Sequence, residues 1–192
     1  MFILAGGKSL RMGQEKAFVP WEGQTLLQRA LEAVGAVSEH VWIVGARSKF
    51  APFGVVVEDI FPERGPLGGI HAGLRNSQAE LNLMLAVDLP CVTPQLLSYL
   101  VERARATEAI ITAPRLRAGW EPLCAVYRRP FAEVAEFALQ EGRNAVHSLL
   151  HPHAVHAVEE CELVEAGFSA ALLSNINTIG DLEAHAGMPG PV

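Results

Sequence analysis

Residues 2–16 read Phe2-Ile3-Leu4-Ala5-Gly6-Gly7-Lys8-Ser9-Leu10-Arg11-Met12-Gly13-Gln14-Glu15-Lys16, an apolar run that passes directly into a glycine-rich, cationic loop. Four apolar residues before such a loop are typical of a buried strand. The loop is neither a P-loop nor a dinucleotide fingerprint, because it has no Gly-Lys-Ser/Thr ending and no GxGxxG pattern. Its adjacent glycines nevertheless allow backbone amides to approach an anion closely, and Arg11 and Lys16 supply positive charge for phosphate.

The chain uses lysine sparingly. Three lysines stand beside twelve arginines, and two of the three, Lys8 and Lys16, fall in this one loop. A compact ammonium group kept at Lys16 favours a point charge on a phosphate oxygen. A glycine-rich turn with solvated basic side chains would give the same pattern, so the loop alone leaves phosphate binding and simple architecture both open.

Apolar runs and helical patterns alternate along the rest of the chain. Runs rich in branched residues predict strands at residues 2–5, 41–44, 55–57, 83–87, 109–113, 122–127 and 154–158. Helical patterns, two of them opened by the N-cap residues Thr25 and Thr93, predict helices at 25–34, 69–76, 93–104, 131–141, 144–150 and 178–186. This order predicts a Rossmann-like α/β fold of three layers, with a doubly wound, mostly parallel sheet. We expect one domain over residues 1–186 and a frayed tail over 187–192.

Composition excludes several classes of protein. A formal net charge of −6 over 192 residues argues against nucleic-acid binding, which normally needs a basic surface. Three scattered cysteines offer neither a disulfide framework nor a CxxC metal site, which favours a reducing compartment. The first apolar run is too short for a signal peptide, and no apolar stretch has the length of a membrane span. We therefore expect a cytoplasmic protein with no membrane or nucleic-acid partner.

Polar residues follow the predicted strands where a doubly wound sheet binds its ligands, outside the carboxyl ends of the strands. Asp59 comes shortly after the third predicted strand and Asp88 directly after the fourth. A carboxylate at Asp88 could hold Mg²⁺ between phosphates, and Asp59 could contact a nucleotide sugar or base. Both aspartates could instead accept hydrogen bonds from turn amides. The stretch Trp120-Glu121-Pro122 is similarly open between a substrate contact and an ordinary turn that enters a strand.

Taken together, these segments resemble a known pattern. Leu4-Ala5-Gly6-Gly7, Arg11-Met12-Gly13 and Lys16 are similar to the signature of nucleotidyltransferases with a glycosyltransferase-A-like fold, the nucleotide-diphospho-sugar transferase type. Further segments resemble one branch of these enzymes, the molybdenum cofactor guanylyltransferases: Glu58-Asp59, Gly65-Pro66-Leu67-Gly68-Gly69-Ile70, Asp88-Leu89-Pro90 and Asn175-Ile176-Asn177-Thr178. Cytidylyltransferase relatives typically carry Leu-Ala-Ala-Gly in the first motif, so Gly6 favours guanine as the base.

The resemblance implies roles for the matching residues. It implies that the nucleotide is bound by Leu4, Ala5, Gly6, Gly7, Gly13, Lys16, Asp59 and Asp88. It implies catalytic roles for Arg11, Lys16 and Asp88, with Asp88 also the ligand of Mg²⁺. It implies that the acceptor substrate is bound by Gly65, Pro66, Leu67, Gly68, Gly69, Arg143, Asn175 and Asn177.

One departure from the resemblance concerns the base pocket. Relatives can carry asparagine at the end of the second strand, where this chain has Val44 followed by Gly45. Either a backbone group makes the corresponding contact or the base pocket differs.

The reaction that the resemblance implies is transfer of GMP from GTP to the phosphate of molybdopterin, with release of pyrophosphate and with Mg²⁺ as the cofactor. Two alternatives stay within the same class: use of CTP on the same pterin, and transfer to a sugar or alcohol phosphate. A third alternative is a catalytically silent nucleotide-binding partner subunit, against which the presence of Lys16 and Asp88 argues. GTP and molybdopterin are the expected partners. A complex with molybdoenzymes or other cofactor-synthesis proteins is compatible with the sequence, although no surface stripe argues for one.

Overall fold

The computed structural model of the chain describes residues 1–6, 15–151 and 154–176. Its strands in these ranges are β1 (Phe2–Leu4), β2 (Pro20–Trp21), β3 (Gln24–Thr25), β4 (Trp42–Val44), β5 (Val55–Val57), β6 (Leu81–Ala86), β7 (Ile111–Leu116), β8 (Gly119–Trp120), β9 (Cys124–Arg128) and β10 (Val155–Glu159). Its α-helices are α1 (Leu26–Gly35), α2 (Arg47–Phe50), α3 (Gly65–Asn76), α4 (Pro94–Arg105), α5 (Phe131–Gln140) and α6 (Glu160–Glu165). Short 3-10 helices cover Lys16–Phe18, Ala51–Phe53, Val146–Leu149 and Ala170–Leu173.

The central sheet is mixed but mostly parallel. Its strand order is β10-β7-β9-β6-β1-β4-β5, with the two-residue β8 added to β7. β6, β1, β4 and β5 run parallel to one another, as β10 does to β7, whereas β9 is antiparallel to both of its neighbours. This topology confirms the α/β class and the mostly parallel sheet predicted from the alternation of apolar runs and helical patterns.

Helices cover both faces of the sheet. Successive strand residues alternate between two apolar layers, so Ile3 packs with the layer of α1, α4 and α6, and Phe2 and Leu4 pack with that of α3 and α5. All three side chains of β1 are buried, as expected for a central strand covered on both sides. The sheet and its two helical faces form the predicted three layers.

Several elements differ from the sequence-based expectation. The helix predicted over residues 144–150 is only the 3-10 helix Val146–Leu149. The strand predicted over residues 109–113 is shifted to Ile111–Leu116, because it pairs there with β10 and with β9. Helix α3 begins at Gly65, four residues before the predicted start, because Pro66 suits the first helical turn. The β2–β3 hairpin and α6 were not predicted, since both are too short to show a clear period.

The ligand-binding edge of the sheet follows from this topology. β1, β4, β5 and β6 all end at the same edge, and the antiparallel β9 begins there. The predicted helix 178–186 and the tail 187–192 lie outside the described residues. No helix in the described ranges combines the length and apolar character that crossing a membrane requires.

Candidate active site

Lys16 and Asp88 meet at the carboxyl edge of the sheet. Lys16 opens the 3-10 helix that follows the glycine-rich loop, and Asp88 lies two residues beyond the end of β6. The Lys16 Nζ donates to Asp88 Oδ2 at 2.7 Å, and each side chain is only about one-fifth exposed. The other carboxylate oxygen, Asp88 Oδ1, is buried and accepts no hydrogen bond from any described residue. The site thus presents a cation beside a carboxylate oxygen that is available to a further partner.

The segment that carries Lys16 is anchored across the edge of the sheet. The Phe18 ring stacks on Phe50 at 5.6 Å and lies 5.6 Å from Phe53. Glu15 forms an ion pair with Lys49 of α2. These contacts hold the residue before Lys16 and a residue after it against the region of α2, so the ammonium group is positioned from both sides.

A pocket of about 590 Å³ lies next to the segment that carries Lys16, with Glu15 and Lys49 in its lining. It is formed where β1, β4 and β5 end and α3 begins, and its lining residues include Leu4, Gly6, Val44, Gly45, Asp59, Gly65, Pro66 and Gly69. The oxygen Asp59 Oδ1 is buried, and no described residue donates a hydrogen bond to it. Burial raises the pKa of the Asp59 carboxyl, because a low-dielectric environment disfavours its charged form. The pocket therefore offers a ligand a strong hydrogen-bond acceptor.

Two glycines bring the walls of this pocket close together. A Cβ atom at Gly45 would lie 2.6 Å from Cε2 of Phe50, and one at Gly69 would lie 3.3 Å from side-chain atoms of both Leu4 and Val44. The Phe50 ring thus occupies the space that a side chain at position 45 would need. Position 45 therefore has no room for a larger side chain, so at this position only the backbone could contact a ligand.

A second polar cluster adjoins Asp88. The Ile176 amide donates to the Asp88 carbonyl at 2.9 Å, which fixes the C-terminal segment beside the β6 end. Asn175 Nδ2 donates to Glu121 Oε2 at 3.3 Å, and the Leu123 amide donates to Glu121 Oε1 at 3.1 Å. Glu121 is 8 % exposed.

The Glu121 carboxyl is an electrostatically unusual group. Burial raises its pKa and the charge of Asp88 adds to this effect, although the Leu123 and Asn175 donors offset part of it. The sequence leaves Glu121 open between a substrate contact and a turn. It shows an acidic residue directly before a buried strand, but the proximity of Glu121 to Asp88 depends on the pairing of β9 with β6.

The residues expected to bind the acceptor do not form one group. Gly65, Pro66 and Gly69 line the same pocket as Leu4, Gly6 and Asp59. The Leu67 side chain is fully buried in the apolar core, so only its backbone could touch a ligand. Gly68 is also buried, and a Cβ there would lie 3.1 Å from the Phe61 carbonyl oxygen. The structure places this glycine-rich turn of α3 beside the residues expected to bind the nucleotide rather than beside Asn175.

Arg143 stands apart from these groups. It is exposed on the loop after α5, and its guanidinium group lies 5.7 Å from the centre of the Phe137 ring. β9 is antiparallel to its neighbours, so it ends at the opposite edge of the sheet. Helix α5 follows β9 and runs back, which brings Arg143, just after α5, to the carboxyl edge. Gly7, Arg11, Gly13 and Asn177 lie outside the described residues.

Asp88 fits the requirements of a magnesium ion shared with a substrate. No group of three His, Cys, Asp or Glu side chains in the described part of the chain could hold a metal ion. Mg²⁺ at phosphate-binding sites usually takes one or two carboxylates and completes its coordination with water and phosphate oxygens. The buried, unsatisfied Asp88 Oδ1 supplies one such carboxylate oxygen.

The sequence of this chain is similar to those of known proteins along most of its length. The MobA-like NTP transferase domain family matches residues 1–158. The "Probable molybdenum cofactor guanylyltransferase" of Clostridium perfringens (strain 13 / Type A) is 30 % identical over 185 residues, covering 94 % of this chain and 92 % of that protein. The molybdenum cofactor guanylyltransferase of Desulfosudis oleivorans is 33 % identical over 185 residues, covering 94 % and 91 %.

A solved structure gives the same result. The crystal structure of molybdopterin-guanine dinucleotide biosynthesis protein A from Archaeoglobus fulgidus superposes with a TM-score of 0.83 at 26 % identity, covering 95 % of this chain and 94 % of that one. The matches in sequence and in structure agree with the family indicated by the motifs. The chain therefore belongs to the molybdenum cofactor guanylyltransferases, nucleotidyltransferases built on the MobA-like NTP transferase domain.

Proposed function

We propose that this enzyme transfers GMP from GTP to the terminal phosphate of molybdopterin, releasing pyrophosphate and forming the molybdopterin guanine dinucleotide cofactor. The observation that carries the proposal is the Lys16–Asp88 pair, 2.7 Å apart. A nucleoside-sized pocket is lined in part by Glu15, the residue before Lys16, and the Glu121–Asn175 cluster adjoins Asp88. Each substrate would thus have a place close to the charges that serve the reaction.

The guanosine would occupy the pocket between β1, β4 and α3. The amides of Ala5 and Gly6 both donate to the Val44 carbonyl at 3.0 Å, so backbone contacts of this segment to a base would use carbonyl oxygens. Guanine offers its ring N–H and its amino group as donors, which suits carbonyl oxygens and the unsatisfied Asp59 Oδ1. A pocket rich in acceptors supports guanine as the preferred base.

The chemical step follows from the charges at the site. An oxygen of the molybdopterin phosphate forms a bond to the α-phosphorus of GTP, and the bond from that phosphorus to the bridging oxygen of the β-phosphate breaks. The nucleophile is already an anion near neutral pH, so the site needs no strong general base. Lys16 would neutralise charge on the transferring phosphoryl group, and Arg11 would favour departure of pyrophosphate. Mg²⁺, when bound at Asp88, would add positive charge between the phosphates.

The acceptor would lie beside Asp88, next to the Glu121–Asn175 cluster. Asn175 is exposed there and is held beside Asp88 by the Ile176 hydrogen bond. Arg143 at the same edge of the sheet offers an exposed cation to an anionic pterin substrate. Gly65, Pro66 and Gly69 line the same pocket as Leu4, Gly6 and Asp59 and would therefore contact the nucleotide.

The first test is calorimetric titration of the purified protein with GTP, CTP and ATP, each with and without Mg²⁺. We expect Mg²⁺-dependent binding that prefers GTP, followed by pyrophosphate release only when molybdopterin is supplied. Preference for CTP would change the proposal to a cytidylyltransferase. Binding of GTP without pyrophosphate release would favour a catalytically silent partner subunit, and binding of none of the three would overturn the proposal altogether.

A further inference from the structure

Glu121 and Asn175 form a hydrogen-bonded pair whose chemistry fixes the direction of an amide. A carboxylate can only accept hydrogen bonds, so the Asn175 group that faces Glu121 Oε2 at 3.3 Å is the amide nitrogen Nδ2. The carbonyl oxygen Oδ1 of Asn175 therefore lies on the side of the amide away from Glu121. With asparagine alone either orientation would be possible, and the buried acid removes that choice.

Glu121 is itself held in place on its other oxygen. The Leu123 amide donates to Glu121 Oε1 at 3.1 Å, and the Glu121 amide donates to the Pro114 carbonyl at 3.0 Å. The side chain is 8 % exposed, so it is poorly placed to form bonds of its own with a substrate. Its burial without a cation among its described hydrogen-bond partners is costly, which indicates a role that an apolar residue could not supply.

We propose that Glu121 is a positioning residue that orients the Asn175 amide so that Asn175 Oδ1 accepts a hydrogen bond from the acceptor substrate. This inference rests on the proposed function and adds to it the chemical class of the recognised group. The group is a hydrogen-bond donor, such as a ring N–H or an amino group of a pterin, and not a phosphate oxygen. Asn175 thus recognises the heterocycle of the acceptor beside Asp88, in addition to the recognition of the acceptor's charge.

Glu121→Gln tests this proposal because glutamine has nearly the same shape as glutamate but exchanges donor and acceptor in the hydrogen bond with Asn175. The Leu123 amide must keep facing an oxygen, so the amide nitrogen of the substituted side chain would face Asn175. Asn175 must then turn its oxygen toward that nitrogen and present its own nitrogen to the substrate. We expect the KM for molybdopterin to rise on the order of tenfold, with the affinity for GTP unchanged and kcat changed less than KM.

A second substitution should restore the original arrangement. In the double variant Glu121→Gln with Asn175→Asp, the introduced amide nitrogen donates to one oxygen of the introduced carboxylate, and the other carboxylate oxygen faces the substrate. The pair also keeps its single negative charge. We expect this double variant to recover most of the wild-type KM, whereas Asn175→Asp alone, which sets two carboxylates together, should not.

The outcomes separate this proposal from a merely structural role and from failure of the proposed function. A wild-type KM in Glu121→Gln, or no recovery in the double variant, would overturn the proposal. If Glu121→Gln does not fold in a thermal unfolding test, the KM for molybdopterin is compared among the wild type, Asn175→Ala and the double variant. A raised KM in Asn175→Ala with a near-wild-type KM in the double variant supports the proposal, and any other pattern overturns it. If the wild type does not use molybdopterin at all, the proposed function fails. The side-chain amide NMR signal of Asn175 then still tests the pair, because it must shift in Glu121→Gln.

Discussion

Lys16 and Asp88 lie 72 residues apart in the chain and 2.7 Å apart at their charged atoms. Two charges that are four-fifths buried lose much of their hydration, and the attraction between them repays that loss only in part. Such a pair is therefore weak evidence for stability. Its position at the carboxyl edge of the sheet, with one Asp88 oxygen unsatisfied, fits the proposed roles of Lys16 toward phosphate and of Asp88 toward Mg²⁺.

Removing either charge should abolish turnover and spare the fold. We expect Lys16→Ala and Asp88→Ala each to lower the rate of pyrophosphate release by at least about 100-fold, the scale typical for one preorganised charge-stabilising group. Far-ultraviolet circular dichroism should remain that of the wild type.

Arg117→Ala is a matched control for this prediction, since it removes a cation whose side chain is 94 % exposed. We expect this control to keep the wild-type rate. Near-normal rates in Lys16→Ala or in Asp88→Ala would show that the ion pair has no part in the chemistry.

At the scale of elements, the contact between the end of β4 and helix α2 shapes the nucleoside pocket. Gly45 follows β4 directly, and the Phe50 ring at the end of α2 fills the space beside it. The same ring stacks on Phe18, so one buried aromatic residue joins the pocket floor to the segment that carries Lys16. A change in this contact should therefore alter both the pocket beside Gly45 and the position of the segment that carries Lys16.

Gly45→Ala should destabilise the protein and weaken nucleotide binding. Its Cβ would lie 2.6 Å from a fully buried ring, so the backbone or the ring must move. Overpacking of this kind costs about 1–3 kcal/mol. Urea unfolding and GTP titration measure the two effects.

Gly35→Ala is the matched control for Gly45→Ala. A Cβ at Gly35, the last residue of α1, would meet no atom within 4 Å, so this variant should be neutral or slightly stabilising. Equal stability of the two variants would contradict the tight contact between Gly45 and Phe50.

At the scale of the whole molecule, a buried carboxylate lowers the free energy of unfolding of the apo-protein, and a bound ligand should remove this destabilisation. Asp59 Oδ1 is buried without a donor among the described residues, and burial raises the pKa of this carboxyl. An acid with a raised native pKa destabilises the fold where it is ionised. The cost is absent below the unfolded pKa of 3.8, grows as the pH rises from there to the raised native pKa, and is complete above the native pKa.

Asp59→Asn should therefore stabilise the apo-protein at pH 7.5 and weaken GTP binding. The gain in unfolding free energy should shrink as the pH is lowered toward 4, because the wild-type carboxyl becomes neutral. Denaturant unfolding across this pH range checks the prediction. Glu58→Gln is the control, since the Glu58 side chain is 56 % exposed and its ion pair with Arg47 contributes little. A loss of stability in Asp59→Asn at pH 7.5 would contradict the prediction that the ionised Asp59 carboxylate destabilises the apo-protein.

The sequence by itself determined the local and periodic features of this protein. Thr25 accepts from the Gln28 amide and Thr93 accepts from the Leu96 amide, as their N-cap patterns predicted. Both signals span three residues, within the reach of one helical turn. The alternation of apolar runs and helices likewise predicted the mostly parallel sheet, and the carboxyl-end rule predicted where Asp88 would lie.

The tertiary structure alone decided which distant residues meet. The Leu67 side chain is buried in the core, because α3 begins at Gly65 and that helix turn faces the sheet, so only its backbone could make the expected substrate contact. Glu121 reaches Asn175, 54 residues away, only through the pairing of β9 and the path of the C-terminal segment. Local patterns report how a segment folds, whereas contacts between segments depend on topology and packing across the whole chain, and the chemistry of this site is made from such contacts.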